Sequence, residues 1–541
     1  MKKTNASLLL LLSLSLGMTA CSSKNEEAQP SGSSAGTSPS ASAGASGTTA
    51  SPSADPNAKK LDISLFEGIW SSVPDPGGPG AQAINEKFNV NYKTNLVPMD
   101  QAAQKLAVLM ASGDIPDFVG LGSADASFVK WAKQGAFLPL NDYIDKYPVL
   151  KYVPKHAWDS VTVDGKIYGI PRFSTTKYRN YPIIRKDWLD KLGLQMPTNY
   201  KELLEVAKAF TFKDPDGNGK NDTYGFVMAN GLDNEMAIGS GYASDTWSMK
   251  NDKGQYIPGV ISEAGKERTQ FLHDAYAAGV VQKDWPVLTY KDNRTMFWGG
   301  KAGIYYEGTP GSSALFSQIL KAVPTAVIEP IPPFKAPDGS QALPGLSGWY
   351  QMYALNGKLK DDPDKVDRIL SMINYFGTFI DPKDQNENNP DFDWQNGGIG
   401  KGYTMENGVA VTPDDDTTSL RPKSYLQVAP WAPSDEALQV DRRAANNPIQ
   451  KAYAEKSVAL WSKPNSTYIS PLYSIHSDLY NTKFWELMTK LLDEQTKMIV
   501  GNTSMDNWDK MVDSFLKNGG QEVIDDVNQK LKEAGAEPTY K

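Results

Sequence analysis

Three carboxylates and two carboxamides crowd into one short run, Asp214-Pro215-Asp216-Gly217-Asn218-Gly219-Lys220-Asn221-Asp222. Oxygen-bearing side chains fall at alternate positions, and a glycine stands sixth, where the backbone must turn sharply. This spacing aims Asp214, Asp216 and Asn218 by side chain, Lys220 by its carbonyl, and Asp222 directly or through water at one hard cation. The twelfth position is Gly225, where a sensor-type loop carries a bidentate Glu. A structural Ca²⁺ is therefore expected rather than a switching one. A polar Asx/Gly turn without metal is the alternative reading. Mutual repulsion of the carboxylates favours the ion. The second chemistry on offer is aromatic: 13 Trp, 25 Tyr and 18 Phe. Such rings can cover the C–H faces of a solute while Asp, Glu, Asn or Arg bind its hydroxyls.

Composition removes several classes. The chain has 541 residues with 55 Lys+Arg against 63 Asp+Glu, a net charge of −8. Nucleic acid is not an expected partner, because a phosphate-tracking groove needs a basic stripe. One Cys makes no internal disulfide, and three His leave little for zinc. The sequence has no P-loop, nucleophile elbow or H-E-x-x-H, so no redox or nucleotide cofactor and no catalytic residue is expected. A glycosidase needs only a pair of carboxylates across a cleft, and that class stays open at this point.

The single Cys has a telling place. Lys2 and Lys3 precede an apolar run over 8–18, then Thr19, Ala20 and Cys21. That run is about 16 Å long as a helix, too short for a hydrocarbon core of about 30 Å. Residues 1–20 read as a signal peptide. Cys21, behind small residues, resembles the lipobox of bacterial lipoproteins, despite Met18 where Leu is usual. In that family it is acylated and becomes the mature N-terminus. A plain secretory signal with an incidental Cys is the competing reading. From 31 to 54 only Ser, Gly, Ala, Thr and Pro occur. Such a segment buries too little to offset its ordering entropy. Residues 21–59 are thus an anchor and tether, reaching roughly 33 Å as a flexible chain. A glycosylated mucin-like stalk is the alternative.

The length exceeds what one core commonly supports, so more than one packing unit must position these groups. Leu61, Ile63 and Leu65 alternate as a strand; 81–88 reads as a helix, 90–97 as a strand, 101–111 as a helix ending at Gly113, and 117–121 as a strand. Strand–helix alternation predicts an α/β layer with a largely parallel sheet. Ligands sit beyond the carboxyl ends of such strands, which places Trp70 and the Gly122–Asp125 turn on the ligand side. Helices are predicted over 187–192, 200–210, 266–278, 365–375, 484–499 and 508–517, with strands over 224–228, 303–306 and 326–331.

The order of several pieces is specific. Ser112-Gly113-Asp114-Ile115-Pro116-Asp117, the 135–143 segment, and Asp164-Gly165-Lys166-Ile167-Tyr168-Gly169-Ile170-Pro171-Arg172 resemble family 1 extracellular solute-binding proteins of ABC importers. The 184–194 run, the 214–222 loop, the 297–307 stretch and the 347–350 turn resemble a narrower group of large Gram-positive lipoproteins and alginate-binding proteins. This likeness implies a two-lobed α/β binding protein of the maltose-binding type, with a multi-strand hinge closing over an oligosaccharide. It implies lobes of 60–175 plus 324–378 and 176–323 plus 379–541. It also implies a monomer, held outside the cell on the bilayer through Cys21, that serves the permease subunits of an ABC transporter.

Within that frame ten residues are candidate sugar contacts. Trp70 and Asp125 lie at strand ends, and Arg172 and Tyr178 at the expected first crossover. Trp247 lies in a Gly/Ser-rich stretch, Glu307 at a strand end, Trp349 and Tyr350 after a Pro/Gly-rich loop, and Trp394 and Trp431 in long polar segments. Trp188, Trp461 and Trp485 sit in helical apolar repeats and read as core. His156, His273 and His476 are isolated and read as structural. Arg172, Arg179 and Arg185 leave a basic site for uronates open. A cell-surface polysaccharide hydrolase, an adhesin, and a binder of peptide or another solute are the other functions to weigh.

Overall fold

A computed structural model describes residues 59–541 except 230, 231, 233, 312, 414, 415 and 445. Cys21 and nearly all of the 21–59 tether lie outside the described residues. Among those described, no helix is long and apolar enough to cross a membrane.

The chain opens as its patterning predicts. Strand β1 (Leu61–Ile69) buries Leu61, Ile63 and Leu65 and exposes Asp62. Helix α1 (Pro79–Phe88) begins with proline in its first turn, where the missing N–H costs nothing, and ends at a left-handed Asn89. Strand β2 (Val90–Pro98) runs parallel to β1 from Leu61↔Val90 to Ile69↔Pro98. Helix α2 (Met99–Ser112) stops at Gly113, whose φ of 78° suits glycine. Strand β3 (Phe118–Leu121) then joins the other edge of β1.

Two later segments complete this first sheet. Trp349–Leu355 lies antiparallel to β3, and Ile170–Phe173 lies beyond it. One face packs on α1 and the helix Pro363–Phe376; the other packs on α2 and the helix α3 (Ala126–Lys133). A second sheet carries Ile328–Pro330, Pro182–Arg185, Ala302–Tyr306 and Tyr224–Phe226 in that order. Its large core takes in the helices Tyr200–Phe212, Glu263–Ala277 and Trp485–Ile499.

The chain passes between the sheets at 174–181, 331–348 and 432–444, so several crossings replace a single linker. Within the second crossing Leu343–Pro344 pairs with Thr467–Ile469, which also pairs with Thr539–Tyr540.

The lobe boundaries differ from expectation in two places. Ile328–Pro330 pairs with Pro182–Arg185 and so stands in the second sheet, not in a first-lobe segment starting at 324. Trp394, Tyr425, Leu426 and Val428, from the 379–431 stretch, pack on the first sheet rather than the second. There Trp394 meets Phe88, Tyr375 and Phe376, and Tyr425 and Leu426 share the core of β1. Burying these rings beside the helix Pro363–Phe376 covers apolar surface that the first sheet alone leaves open.

Candidate functional site

A cleft of about 600 Å³ opens where three distant parts of the chain converge. Gly122, Ser123, Ala124 and Asp125 come from the turn after β3. Asp125 caps α3: its Oδ1 accepts from the N–H groups of Ser127 and Phe128, and its Oδ2 accepts from Ser123 Oγ. Ser347, Trp349 and Tyr350 come from the end of the second crossing. Gly348 has a φ of 80° there, and a Cβ would stand 3.1 Å from Thr176 Cγ2, so a glycine is required for this turn. Ser160, which also lines the cleft, donates to the carbonyls of His156 and Tyr473.

The opposite wall belongs to the C-terminal third. Leu472, Tyr473, Ile475, His476 and Ser477 line it, followed by Tyr480, Asn481 and Trp485 at the start of a long helix. Ser477 Oγ donates to Asp526, which pins the wall to the helix Gln521–Ala534. Tyr480, Phe484 and Trp485 lie ring against ring. Five rings and a row of hydroxyl and amide groups thus face one space. Such a surface takes the apolar faces of a solute and bonds its polar rim.

Below Tyr350 lies a buried polar hub. Arg172 donates from Nη1 to Glu67 Oε1 and to Gln351 Oε1, each at 2.7 Å, and Tyr353 donates to the same Glu67 oxygen at 2.9 Å. The guanidinium lies 5.1 Å from the ring centre of Tyr350. Burial pushes the Glu67 carboxyl above its ordinary value, and the Arg172 charge pulls it back. The hub sets the height of the Tyr350 ring at the cleft floor.

The ten candidate contacts distribute unevenly. Asp125, Trp349 and Tyr350 line the cleft. Trp70 is 79% exposed just beyond β1; extending the Leu65↔Phe118 register by five residues sets it level with Ser123. Arg172 is beneath the floor. The other five lie elsewhere, and each has a physical reason. Tyr178 is buried against Trp461. Trp247 is sealed behind Tyr480 and Phe484, so it backs the cleft wall without lining it. Glu307 is buried in a cluster of its own, accepting from Arg294, Tyr290 and Trp298. Trp394 packs on the first core, and Trp431 donates to the Pro171 carbonyl beside Phe173.

Two further readings are corrected. Trp485 reads as core by its helical repeat, yet it is 46% exposed and lines the cleft; Trp188 and Trp461 are buried as expected. His476 is also a lining residue rather than an isolated structural one, whereas His156 and His273 bond to the carbonyls of Ser347 and Met498. Sequence reasoning missed Tyr473, Tyr480 and Asn481 as well. The signal was present in the dense mixture of rings and hydroxyls between 470 and 485.

The 214–222 loop forms a tight polar turn remote from the lining residues. Asp214 accepts from the N–H groups of Asn218 and Gly219, and the Asn218 amide bridges Asp216 and Asp222. The donors are the hard oxygens that suit calcium. Between two of them stands Lys301, with Nζ 3.2 Å from Asp216 and 2.8 Å from Asp222. Its hydrogen bond holds the Asp222 carboxyl below its ordinary value, and Asp222 in turn raises the ammonium. Among the described residues, no three His, Cys, Asp or Glu side chains stand close enough together to hold a metal. The oxygen types fit the ion, but two of them are held by the ammonium.

Comparison with known proteins gives a consistent result. Residues 72–378 match the model of the bacterial extracellular solute-binding protein family. The chain is 27% identical over 492 residues to lipoprotein LipO of Bacillus subtilis, covering 87% of this chain and 93% of that one. It is 28% identical over 501 residues to the polygalacturonan/rhamnogalacturonan-binding protein YtcQ of the same organism, covering 90% and 94%. Among solved structures, the alginate-binding protein AlgQ2, described without calcium ion, superposes with a TM-score of 0.61 at 22% identity, covering 88% of this chain and 99% of that one. At that identity the superposition carries the two-lobed fold alone.

Proposed function

This chain belongs to the bacterial extracellular solute-binding protein family, and on that premise we propose that it captures an oligosaccharide outside the cell and presents it to the permease of an ABC transporter. The observation that carries this reading is the cleft: Trp349 and Tyr350 on one side face Tyr473, Tyr480 and Trp485 on the other, interleaved with Ser123, Ser347, His476 and Asn481. Rings take the C–H faces of sugar units, and the polar groups take hydroxyls. The name of the relative YtcQ, given for polygalacturonan and rhamnogalacturonan binding, supports the same class.

Binding rather than cleavage is favoured by the charges. Among the described lining residues Asp125 is the single carboxylate, whereas glycoside hydrolysis is ordinarily done by two carboxyl groups about 5–9.5 Å apart. Three chain crossings let the walls approach as rigid bodies around a bound solute, and that closure is the signal read by the permease. Cys21, acylated, holds the body on the outer face of the membrane as a monomer. A calcium ion belongs to the 214–222 loop, held by Asp214, Asp216, Asn218, the Lys220 carbonyl and Asp222. There it would neutralise the carboxylates and pin the connection between a helix and Tyr224–Phe226, once Lys301 withdraws.

A thermal-shift screen of mono- and oligosaccharides tests the main claim, since a ligand binding only the native state raises the melting temperature. A rise with the sugar recovered intact supports it; products from cut glycosidic bonds would select the hydrolase instead. For the anchor, Cys21→Ala should release mature protein into the medium, and retention on the membrane would contradict acylation.

A further inference from the structure

Whether a sugar site accepts acidic chains depends on the fixed charges around it. A polyuronate brings a carboxylate on every unit, and recognition of carboxylates calls for guanidinium or ammonium groups at contact distance. Among the described residues, no lysine or arginine lines this cleft. The lining carries the Asp125 carboxylate, and the His476 imidazole there is bonded to Asp478 at 3.1 Å.

Among the described residues, Arg172, Arg179, Arg185, Lys155, Lys177, Lys541 and Lys483, which stands between Asn481 and Trp485, each have another partner. Arg172 is under the floor, 2.7 Å from Glu67. Arg179 pairs with Asp245 at 3.2 Å, and Arg185 with Asp187 at 2.6 Å. Lys155 and Lys177 pair with Asp159 and Glu436. The charge of Lys541 reaches His156 behind the wall, but its ammonium donates to Thr176 Oγ1, which is itself bonded to Asp435. The three arginines that left a basic site open in the sequence therefore supply none.

We propose that this cleft selects uncharged oligosaccharides and rejects polyuronates, with Asp125 as the excluding charge. The inference rests on the carbohydrate reading above and narrows it. It sets this chain apart from the relatives named for polygalacturonan and alginate, from which it differs at about three residues in four. Asp125 suits this role because the α3 cap fixes it at the cleft edge, where it cannot swing away from an approaching carboxylate.

The test uses the full-length protein and size-matched oligosaccharides at equal concentration. One set is neutral (xylo-, manno-, galacto- and fructo-oligosaccharides), the other acidic (oligogalacturonate and oligomannuronate). At least one neutral chain should bind, with every acidic one weaker by about 100-fold, as like charges at an interface imply. In Asp125→Asn, which keeps the capping oxygen and removes the charge, the acidic-to-neutral affinity ratio should rise roughly tenfold at low salt. Acidic chains binding as tightly as the best neutral one would overturn the inference and leave the carbohydrate reading standing. An unmoved ratio in Asp125→Asn would overturn the role of that residue. Silence from both sets would remove the carbohydrate reading, and this inference with it.

Discussion

Each of the two larger sheets carries a buried glutamate near or just past the end of a strand, and each glutamate is held by an arginine and a tyrosine. Glu67, near the end of β1, meets Arg172 and Tyr353; Glu307, just past Ala302–Tyr306, meets Arg294, Tyr290 and Trp298. The difference lies in the arginines. The Arg172 side chain is 4% exposed and supports a ring at the cleft floor, whereas that of Arg294 is 42% exposed and stacks on Tyr290 at the surface. A buried pair costs desolvation on both sides and is sensitive to losing one member. A half-exposed partner leaves a route for water to replace it. The same constellation thus acts as a floor beam in one lobe and as a local clasp in the other.

Breaking the first hub should have the largest effect. Arg172→Ala leaves Glu67 buried with its charge uncompensated and should cost about 3–5 kcal/mol in urea unfolding. Adding Glu67→Leu to Arg172→Met should recover most of that loss. If Arg172→Ala costs no more than Arg294→Ala, the distinction between the hubs fails. Tyr350→Ala sharpens the link to the cleft: it should lower sugar affinity roughly tenfold or more in calorimetry while moving the melting temperature little. Arg294→Ala should cost about 1–2 kcal/mol, because Tyr290 and Trp298 still donate to Glu307. No change in sugar affinity is expected there.

The smallest effect extends the comparison to a third cluster, partly exposed at Lys301 and Asp222. Lys301→Met frees Asp216 and Asp222, so the loop becomes more dependent on calcium. EGTA should lower the melting temperature of Lys301→Met by more than that of the parent, and an equal shift in both would mean that the ammonium does not compete with the ion. Its direct effect on stability should be the smallest of the series, as for other exposed ion pairs.

Much of the first lobe was legible. The alternation of Leu61, Ile63 and Leu65, proline at the start of α1 and Gly113 at the end of α2 each fixed a boundary by local chemistry. Asp125 was legible for the same reason, since strand ends point to the ligand side. The second wall was not. Asp125 and Trp485 are 360 positions apart, and no local signal reports that crossings bring them together. Trp247 misled in the opposite direction: its polar Gly/Ser surroundings suggested exposure, but those residues wrap a ring that is wholly buried. The helical repeat around Trp485 was correct for Leu487, Met488 and Leu491, which are buried, but the first turn of that helix faces the cleft. Periodicity reports a helix's average face and not its exposed end.

The placing of the indoles also makes the protein its own optical gauge. Trp349 and Trp485 stand on opposite sides of the open space, while Trp188, Trp247, Trp285, Trp298 and Trp461 are sealed in the interior. A solute entering between the walls changes the surroundings of the first two rings and leaves the sealed ones as an internal standard. Capture should therefore register as a shift in intrinsic emission, with no dye, label or engineered cysteine.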